Sequence, residues 1–126
     1  MDERIQQGLE QDLTIDITTK GRKSGQDKRI EIWFHNLDGK YYITGTPGTR
    51  DWYANMVANP EMTFHLKQNV QADIPARARP ITEDSERRQV FLGVFAKLDG
   101  ERNLDDWMPS SPLVEIELDI DKTQIS

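Results

Sequence analysis

Apolar residues alternate with polar ones in six separate segments of this chain. This two-residue period restricts the possible folds more than any other feature of the sequence. In "LTIDITT", residues 13–19, the apolar Leu13, Ile15 and Ile17 alternate with polar side chains. Such alternation is typical of a strand with one buried face. The remaining segments are residues 29–36, 41–45, 61–67, 71–80 and 113–120. The sequence therefore predicts about six strands.

Two local signals refine the strand prediction. The residues "DGK", 38–40, separate the second and third segments and are typical of a tight turn, so these two strands are expected to form a hairpin. Pro75 interrupts the fifth segment. Because proline cannot donate a ladder hydrogen bond, the strand that contains it is expected to lie at a sheet edge or to bulge there.

Helical signals are fewer than strand signals. Residues 49–59 predict one short helix that ends before Pro60. Residues 82–98 predict a longer one with an apolar stripe, which consists of Val90, Phe91, Val94, Phe95 and Leu98. The charged N-terminal residues 2–11 form a possible third, frayed helix. Strands without regular helix alternation favour an α+β protein, mainly β, whose antiparallel sheet closes into a small barrel. Residues 1–126 show no repeat or linker and are expected to form one domain.

Composition excludes several classes of function. The chain has 126 residues, a formal net charge of -6 and no cysteine, so disulfides, thiolate metal sites and thiol nucleophiles are excluded. An acidic chain repels polyanions, which argues against nucleic-acid partners. No apolar run approaches the ~20 residues of a membrane span, and no metal-ligand spacing is present. We expect a cytoplasmic protein with a local anion site at most.

One loop departs from the acidic balance. Five of the sixteen basic residues fall within residues 20–29, "KGRKSGQDKR". Its glycines allow a tight turn, Arg22 offers a planar fork for a phosphate or carboxylate, and Lys23 and Ser24 add a charge and a hydroxyl. Such chemistry suits an anion clamp, although a solvated turn has the same composition. It lacks the Gly-Lys-Ser/Thr ending of a Walker loop.

A second glycine-rich stretch leads from a predicted strand into the first predicted helix. In "TGTPGTRDW", residues 44–52, the turn would present backbone N–H groups at a helix N-terminus, where a phosphate is favoured. Arg50 lies in the first turn, where a cation is unfavourable unless an anion is bound. The alternative is an ordinary strand-to-helix turn with Arg50 in solvent.

The sequence shows no catalytic triad, and no catalytic residue is assigned. His35 and His65 are far apart in the chain and are expected to have structural or surface roles. Trp33 is out of phase with its apolar neighbours, which is compatible with a partner subunit and a possible homodimer. Aromatic side chains could line a substrate site, although core packing is the default for each. The candidates are Tyr42, Tyr53 and Trp107.

The order of these motifs carries a resemblance. "TTKGRKSGQ", "DGKYYITG", the glycine-rich turn and "DWYANMVANPEMTFHL" together resemble the deazaflavin-dependent nitroreductase family, over residues 18–88. The resemblance implies a split β-barrel. It also implies an oxidoreductase that transfers a hydride from a reduced deazaflavin coenzyme of the F420 type to a small quinone or nitro compound.

The resemblance also implies which residues bind the cofactor. By position they are Arg22, Lys23, Ser24, Thr46, Gly48, Arg50, Trp52 and Asn55. The turn "TGTPGTR" is shorter than in many deazaflavin-binding members and lacks their lysine, so FMN stays as the alternative cofactor. A non-catalytic flavin or deazaflavin carrier stays as the alternative function.

Overall fold

The computed structural model describes residues 2–98 and 100–125, and within them eight strands and four α-helices follow one another. The strands are β1 (Thr14–Lys20), β2 (Asp27–Trp33), β3 (His35–Leu37), β4 (Lys40–Thr44), β5 (Glu61–Leu66), β6 (Ala72–Pro80), β7 (Leu113–Leu118) and β8 (Gln124–Ile125). The helices are α1 (Glu3–Gln11), α2 (Asp51–Ala58), α3 (Asp84–Lys97) and α4 (Leu104–Trp107), with a 3-10 turn at Ile120–Lys122.

All strand pairs are antiparallel, in the order β2-β1-β5-β6-β7-β4-β3, and β8 also pairs with β6. The two end strands, β2 and β3, are separated in the chain by Phe34 alone. Because a single residue cannot bridge the width of a flat seven-strand sheet, the sheet must curl until its ends approach each other. This architecture confirms the predicted antiparallel split β-barrel.

The predicted hairpin of residues 29–36 with 41–45 is wrong in part. This segment breaks at Phe34 into two strands: β2 pairs with β1, and only β3 forms the hairpin with β4. The break divides one alternating run between opposite ends of the sheet. The short β8 and α4 account for the remaining elements that the sequence pattern did not indicate.

Pro75 lies in an internal strand, so its expected position at a sheet edge is wrong. β6 runs between β5 and β7. The pairing with β7 begins at Ala76, and the pairing with β8 covers Ala72 and Asp73. Pro75 therefore falls in the gap between two partners, where its carbonyl accepts from Asp119 N at 2.8 Å and no ladder N–H is required of it.

The barrel interior holds the main core, formed by the inward residues of the alternating strands and by one face of α1 and α2. Phe34 and Phe64 meet edge to face at its centre, with ring centroids 5.3 Å apart. A second cluster lies between the sheet and α3, where Val90, Phe91 and Val94 are buried as the helical stripe predicts. No helix in the described part of the chain is long and apolar enough to cross a membrane.

Candidate functional site

The basic loop between β1 and β2 is a compact turn held by its own backbone. Gly21 N donates to Gln26 O at 2.8 Å, and Gly25 N donates to Gly21 O at 2.9 Å. Gly25 has φ 70°, a conformation that favours glycine. A Cβ on Gly21 would stand 2.7 Å from Ser24 Oγ, so only glycine allows the hydroxyl to approach this closely. The loop therefore has a defined backbone conformation and is more than a solvated turn.

Arg22 attaches this loop to α2. Its backbone N and its Nη1 both donate to Asn55 Oδ1, at 3.1 and 3.0 Å, and its Nη2 lies 3.4 Å from Asp51 Oδ1. Asn55 is buried, so its amide oxygen needs these donors. The structure thus brings together two predicted site residues, Arg22 and Asn55, that are 33 positions apart.

A small cleft of about 170 Å³ lies where the loop meets α2. It is lined by Gly21, Arg22, Lys23, Ser24, Lys28, Asp51 and Asn55. Three cationic side chains and a hydroxyl are a suitable donor set for a phosphate or a carboxylate tail. The carboxylate of Asp51 opposes an anion, but its side chain is 79% exposed and its charge is largely solvated. The residues present therefore fit the acidic end of a deazaflavin cofactor.

The second glycine-rich turn is fixed to the loop that precedes β7. Gly48 has φ 132° and its N donates to Ser110 O at 3.1 Å. Thr44 Oγ1 donates to Pro112 O at 2.6 Å. These two bonds place the turn beside residues 108–112, which the sequence alone did not connect with it.

Arg50 folds back over its own turn. Its Nη2 donates to Thr46 O and Oγ1, at 3.1 and 2.9 Å, and its Nη1 donates to Thr49 O at 3.0 Å. Arg50 is also the N-cap residue of α2 and makes no capping bond there. Among the residues described, no carboxylate pairs with Arg50, so its charge is available to an anion.

A larger cleft of about 600 Å³ opens beside this turn. It is lined by Gly48, Thr49, Arg50, Tyr53, Ala54, Thr82, Asp84, Arg87, Met108, Pro109, Ser110, Ser111 and Pro112. Residues 50 and 54 are one helical turn apart and face this cleft, whereas 51 and 55 face the small basic one. The two clefts therefore lie on adjoining flanks of the first turn of α2. This volume is ample for a ring cofactor or a small aromatic acceptor.

Arg87 and Ser111 in this larger cleft were not identified from the sequence. Arg87 is buried, and its guanidinium donates to three backbone carbonyls: Ile81, Met108 and Ser111. The sequence did contain a signal for Arg87, because it is in phase with the apolar stripe of α3 that continues through residues 90, 91 and 94. A charged residue on the buried face of a helix is unusual, and this is the signal that the sequence contained.

The aromatic candidates divide between the cleft and the core. Tyr53 lines the larger cleft, as the prediction of a substrate contact requires. Tyr42 is buried in the second cluster, and Trp107 packs edge-on against Phe91 and Phe95; neither lines the clefts above. Trp52, a predicted cofactor residue, is buried in the main core and packs edge-on against Tyr53. Tyr42, Trp52 and Trp107 therefore make packing contacts instead of lining either cleft.

Both histidines are buried, and neither lies in these clefts. His65 Nε2 is 2.7 Å from Thr18 Oγ1, and its Nδ1 is 2.6 Å from Asp73 Oδ1. His35 lies at the start of β3. Burial lowers the pKa of its imidazole, and the charges of Lys97 and Arg102 lower it further. Within residues 2–98 and 100–125 no group of three or more His, Asp or Glu is placed to hold a metal ion.

Several solved structures share this fold. An F420 reductase is 20% identical, with a TM-score of 0.67 and 92% of each chain covered. The conserved hypothetical protein Rv2991 from Mycobacterium tuberculosis is 18% identical, with a TM-score of 0.73 and coverage of 99% of this chain and 84% of that one. A NimC/NimA family protein from Clostridium acetobutylicum is 14% identical, with a TM-score of 0.63 and coverage of 85% and 75%. At these identities the likeness shows the split-barrel fold.

A family model gives the more specific comparison. The model described as F420H(2)-dependent quinone reductase matches residues 3–100, which include both glycine-rich turns, all of α2 and most of the barrel. This match agrees with the donor set of the basic cleft, which suits the acidic deazaflavin cofactor that the family uses. The chain belongs to the F420H(2)-dependent quinone reductase family, a group of deazaflavin-dependent oxidoreductases.

Proposed function

We propose that this protein reduces a small quinone with a hydride from reduced deazaflavin, and that the cofactor lies across the first turn of α2. The observation that carries the proposal is the pair of clefts on adjoining flanks of that turn. One is small and basic, and the other is larger, with mixed polar and apolar walls. A cofactor with an acidic end and an aromatic end requires two such neighbouring sites.

The basic cleft would hold the phosphate and the acidic tail of the cofactor. Arg22 is oriented by Asn55 and Asp51, so part of its entropy cost is already met before the ligand binds. Lys23 is exposed and makes no ion pair with the described residues, so it can turn towards a phosphate. Ser24 Oγ accepts from Gln26 N at 3.2 Å, which leaves the proton of the hydroxyl to donate to the ligand. Arg50 would add positive charge on the side of the glycine-rich turn.

The larger cleft would hold the ring and the acceptor. When bound, the reduced deazaflavin supplies a hydride, and the quinone gains that hydride and one proton to become the hydroquinone. The chain provides position and environment. Tyr53 and Met108 offer apolar surface for stacking, while Gly48 lets the backbone approach the ligand without a side chain. No catalytic side chain is needed for the hydride step itself.

A quinone is the first acceptor proposed, and a nitro compound is the second. The description of the matching family names quinone reduction. Nitroaromatic compounds are planar and accept a hydride in the same way, so the same cleft would admit them. A carrier that binds deazaflavin without turnover would need only the basic cleft, and this difference makes the two functions separable.

The test uses purified apoprotein with each reduced cofactor in turn. We expect reduced deazaflavin to be oxidised when menadione is added, with hydroquinone formed in equal amount, and reduced FMN to support a much slower reaction. Tight binding of deazaflavin without oxidation by menadione or a nitroaromatic panel would show a carrier instead. Equal or faster turnover with FMN would contradict the choice of cofactor.

A further inference from the structure

Arg87 places a buried positive charge in the wall of the larger cleft, with its guanidinium carbon 5.1 Å from the centroid of the Phe91 ring. Arg87 is only 8% exposed. Its Nε, Nη1 and Nη2 donate to the backbone carbonyls of Met108, Ile81 and Ser111 at 2.7–3.1 Å. In the part of the chain described, it forms no ion pair with a carboxylate. A buried guanidinium is usually paired, because desolvation of a lone charge is costly. The three carbonyls and the Phe91 ring offset part of this charge, but no carboxylate of the described residues neutralises it, so a net positive charge stays beside the cleft.

Ser111 supplies an unused hydrogen-bond donor beside that charge. The residue is 3% exposed, lies in the wall of the same cleft, and its Oγ makes no hydrogen bond with the described residues. Arg87 Nη2 donates to its carbonyl at 2.9 Å, so the two side chains belong to adjacent parts of one wall. The Oγ atom itself is buried in the free protein. Because no bond to the described residues holds it in its rotamer, a rotation about Cα–Cβ is the movement that would direct it to a ligand.

The hydroxyl of Ser111 and the charge of Arg87 favour the same kind of ligand atom. An unpaired buried hydroxyl is costly to the free protein, and a buried cation without a carboxylate partner favours a negative charge nearby. An oxygen acceptor that gains negative charge would satisfy both. We propose that Arg87 and Ser111 form a carbonyl-binding corner of the cleft, which binds an oxygen of the acceptor and stabilises the negative charge that develops on it.

The proposal rests on the proposed function and names the acceptor chemistry more closely. When a conjugated carbonyl accepts a hydride, the electron pair that the hydride displaces moves onto the carbonyl oxygen, which then takes a proton to become a hydroxyl. A positive charge and a hydroxyl donor at that oxygen favour the charged state over the neutral one. The corner thus selects quinones and other conjugated carbonyl compounds over hydrocarbons of equal shape.

The test compares two ligands of nearly equal shape, menadione and 2-methylnaphthalene, which lacks both carbonyl oxygens. Binding is measured by equilibrium dialysis with protein saturated with oxidised deazaflavin, where no turnover occurs. Ser111→Ala should weaken menadione binding by about three- to tenfold, the effect of one hydrogen bond, and leave 2-methylnaphthalene unchanged. Ser85→Ala, a serine on α3 outside the cleft, is the matched control and should change neither. Arg87 itself is unsuitable for substitution because it also anchors residues 108–111.

A second readout comes from the ligand-free protein. Removal of an unpaired buried hydroxyl should leave the melting temperature of Ser111→Ala equal to or above that of the wild type, so weaker menadione binding cannot come from misfolding. The proposal is overturned if menadione does not bind, if both ligands weaken alike, or if the variant loses affinity for deazaflavin instead of menadione. Failure of deazaflavin to bind would overturn the proposed function separately, and the two dialysis experiments would then be run on apoprotein.

Discussion

Two arginines bring positive charge to the first turn of α2, Arg22 from the basic loop and Arg50 from the glycine-rich turn. Arg22 and Arg50 are anomalous in the sequence, one in a basic loop of an acidic chain and the other at a helix N-terminus. What the sequence could not show is that Asn55 orients Arg22, or that Arg50 bonds to Thr46 and Thr49. These contacts depend on side-chain conformations that only the folded environment selects.

His35 gives a prediction at the scale of a single residue. Burial and two cations lower its pKa below 6.5, so as the pH falls through 6.5 the unfolded chain takes up a proton here before the folded one does. Stability should therefore fall as the pH decreases from 7.5 to 5.5. His35→Gln removes this titration, and urea unfolding at both pH values should show a smaller loss in the variant. An equal or larger loss in the variant would contradict the assignment.

At the scale of elements, the alternating pattern located strands whose one face lies in the core, such as β1 and β6. In β2 the same pattern is present although only Ile32 is half-buried. The alternating pattern does not reveal the break at Phe34, because Ile32 and Phe34 are two residues apart and keep the same phase. Closure of the sheet, not local preference, divides β2 from β3. The position of Pro75 was missed for a related reason: the gap between β7 and β8 exists only in the assembled sheet.

Three strands are joined by one chain of side-chain hydrogen bonds, and this predicts a large effect of a small substitution. Thr18 on β1, His65 on β5 and Asp73 on β6 are linked at 2.7 and 2.6 Å. Thr18→Val keeps the shape but leaves a buried imidazole nitrogen unpaired, so it should destabilise the protein by about 1–3 kcal/mol.

The control for that substitution lies beside it. Thr63 is opposite Thr18 in the β1–β5 pair, and its side chain bonds to none of the described residues. Thr63→Val should change the free energy of unfolding by less than about 0.5 kcal/mol. Similar effects of the two valines in urea titrations would mean that the hydrogen-bond chain adds nothing.

At the scale of the whole molecule, an exposed apolar surface lies at one end of the sheet. Trp33, on the end strand β2, is 51% exposed, and the nearby Leu13 is 59% exposed. Exposed groups of large apolar residues commonly mark an interface. We propose that this surface joins two copies of the chain in a homodimer.

The dimer is tested by light scattering coupled to size-exclusion chromatography. The wild type should have about twice the mass of one chain, and Trp33→Glu should shift the population to the monomer. Leu92→Glu, which changes an equally exposed apolar residue on α3, should leave the mass unchanged. A wild-type monomer, or the same shift in both variants, would exclude this surface as the interface.

The central claim is that the loop at residues 20–29 provides a local anion site in a protein of net charge -6. Whether an overall acidic molecule binds an acidic cofactor is then decided by a few residues around Arg22. A charge reversal at Arg22 tests this site. The control is Lys122→Glu, which makes the same change in net charge at an exposed residue outside both clefts.

The most direct measurement is the dissociation constant of deazaflavin for wild type, Arg22→Glu and Lys122→Glu, followed with the turnover number at saturating cofactor. Arg22→Glu should weaken binding by about tenfold or more, the equivalent of at least one charge-assisted hydrogen bond, while its turnover at saturation stays near the wild-type value. Lys122→Glu should bind as the wild type does. Equal affinities for the two variants, or a loss of turnover at saturation without a loss of affinity, would contradict the account.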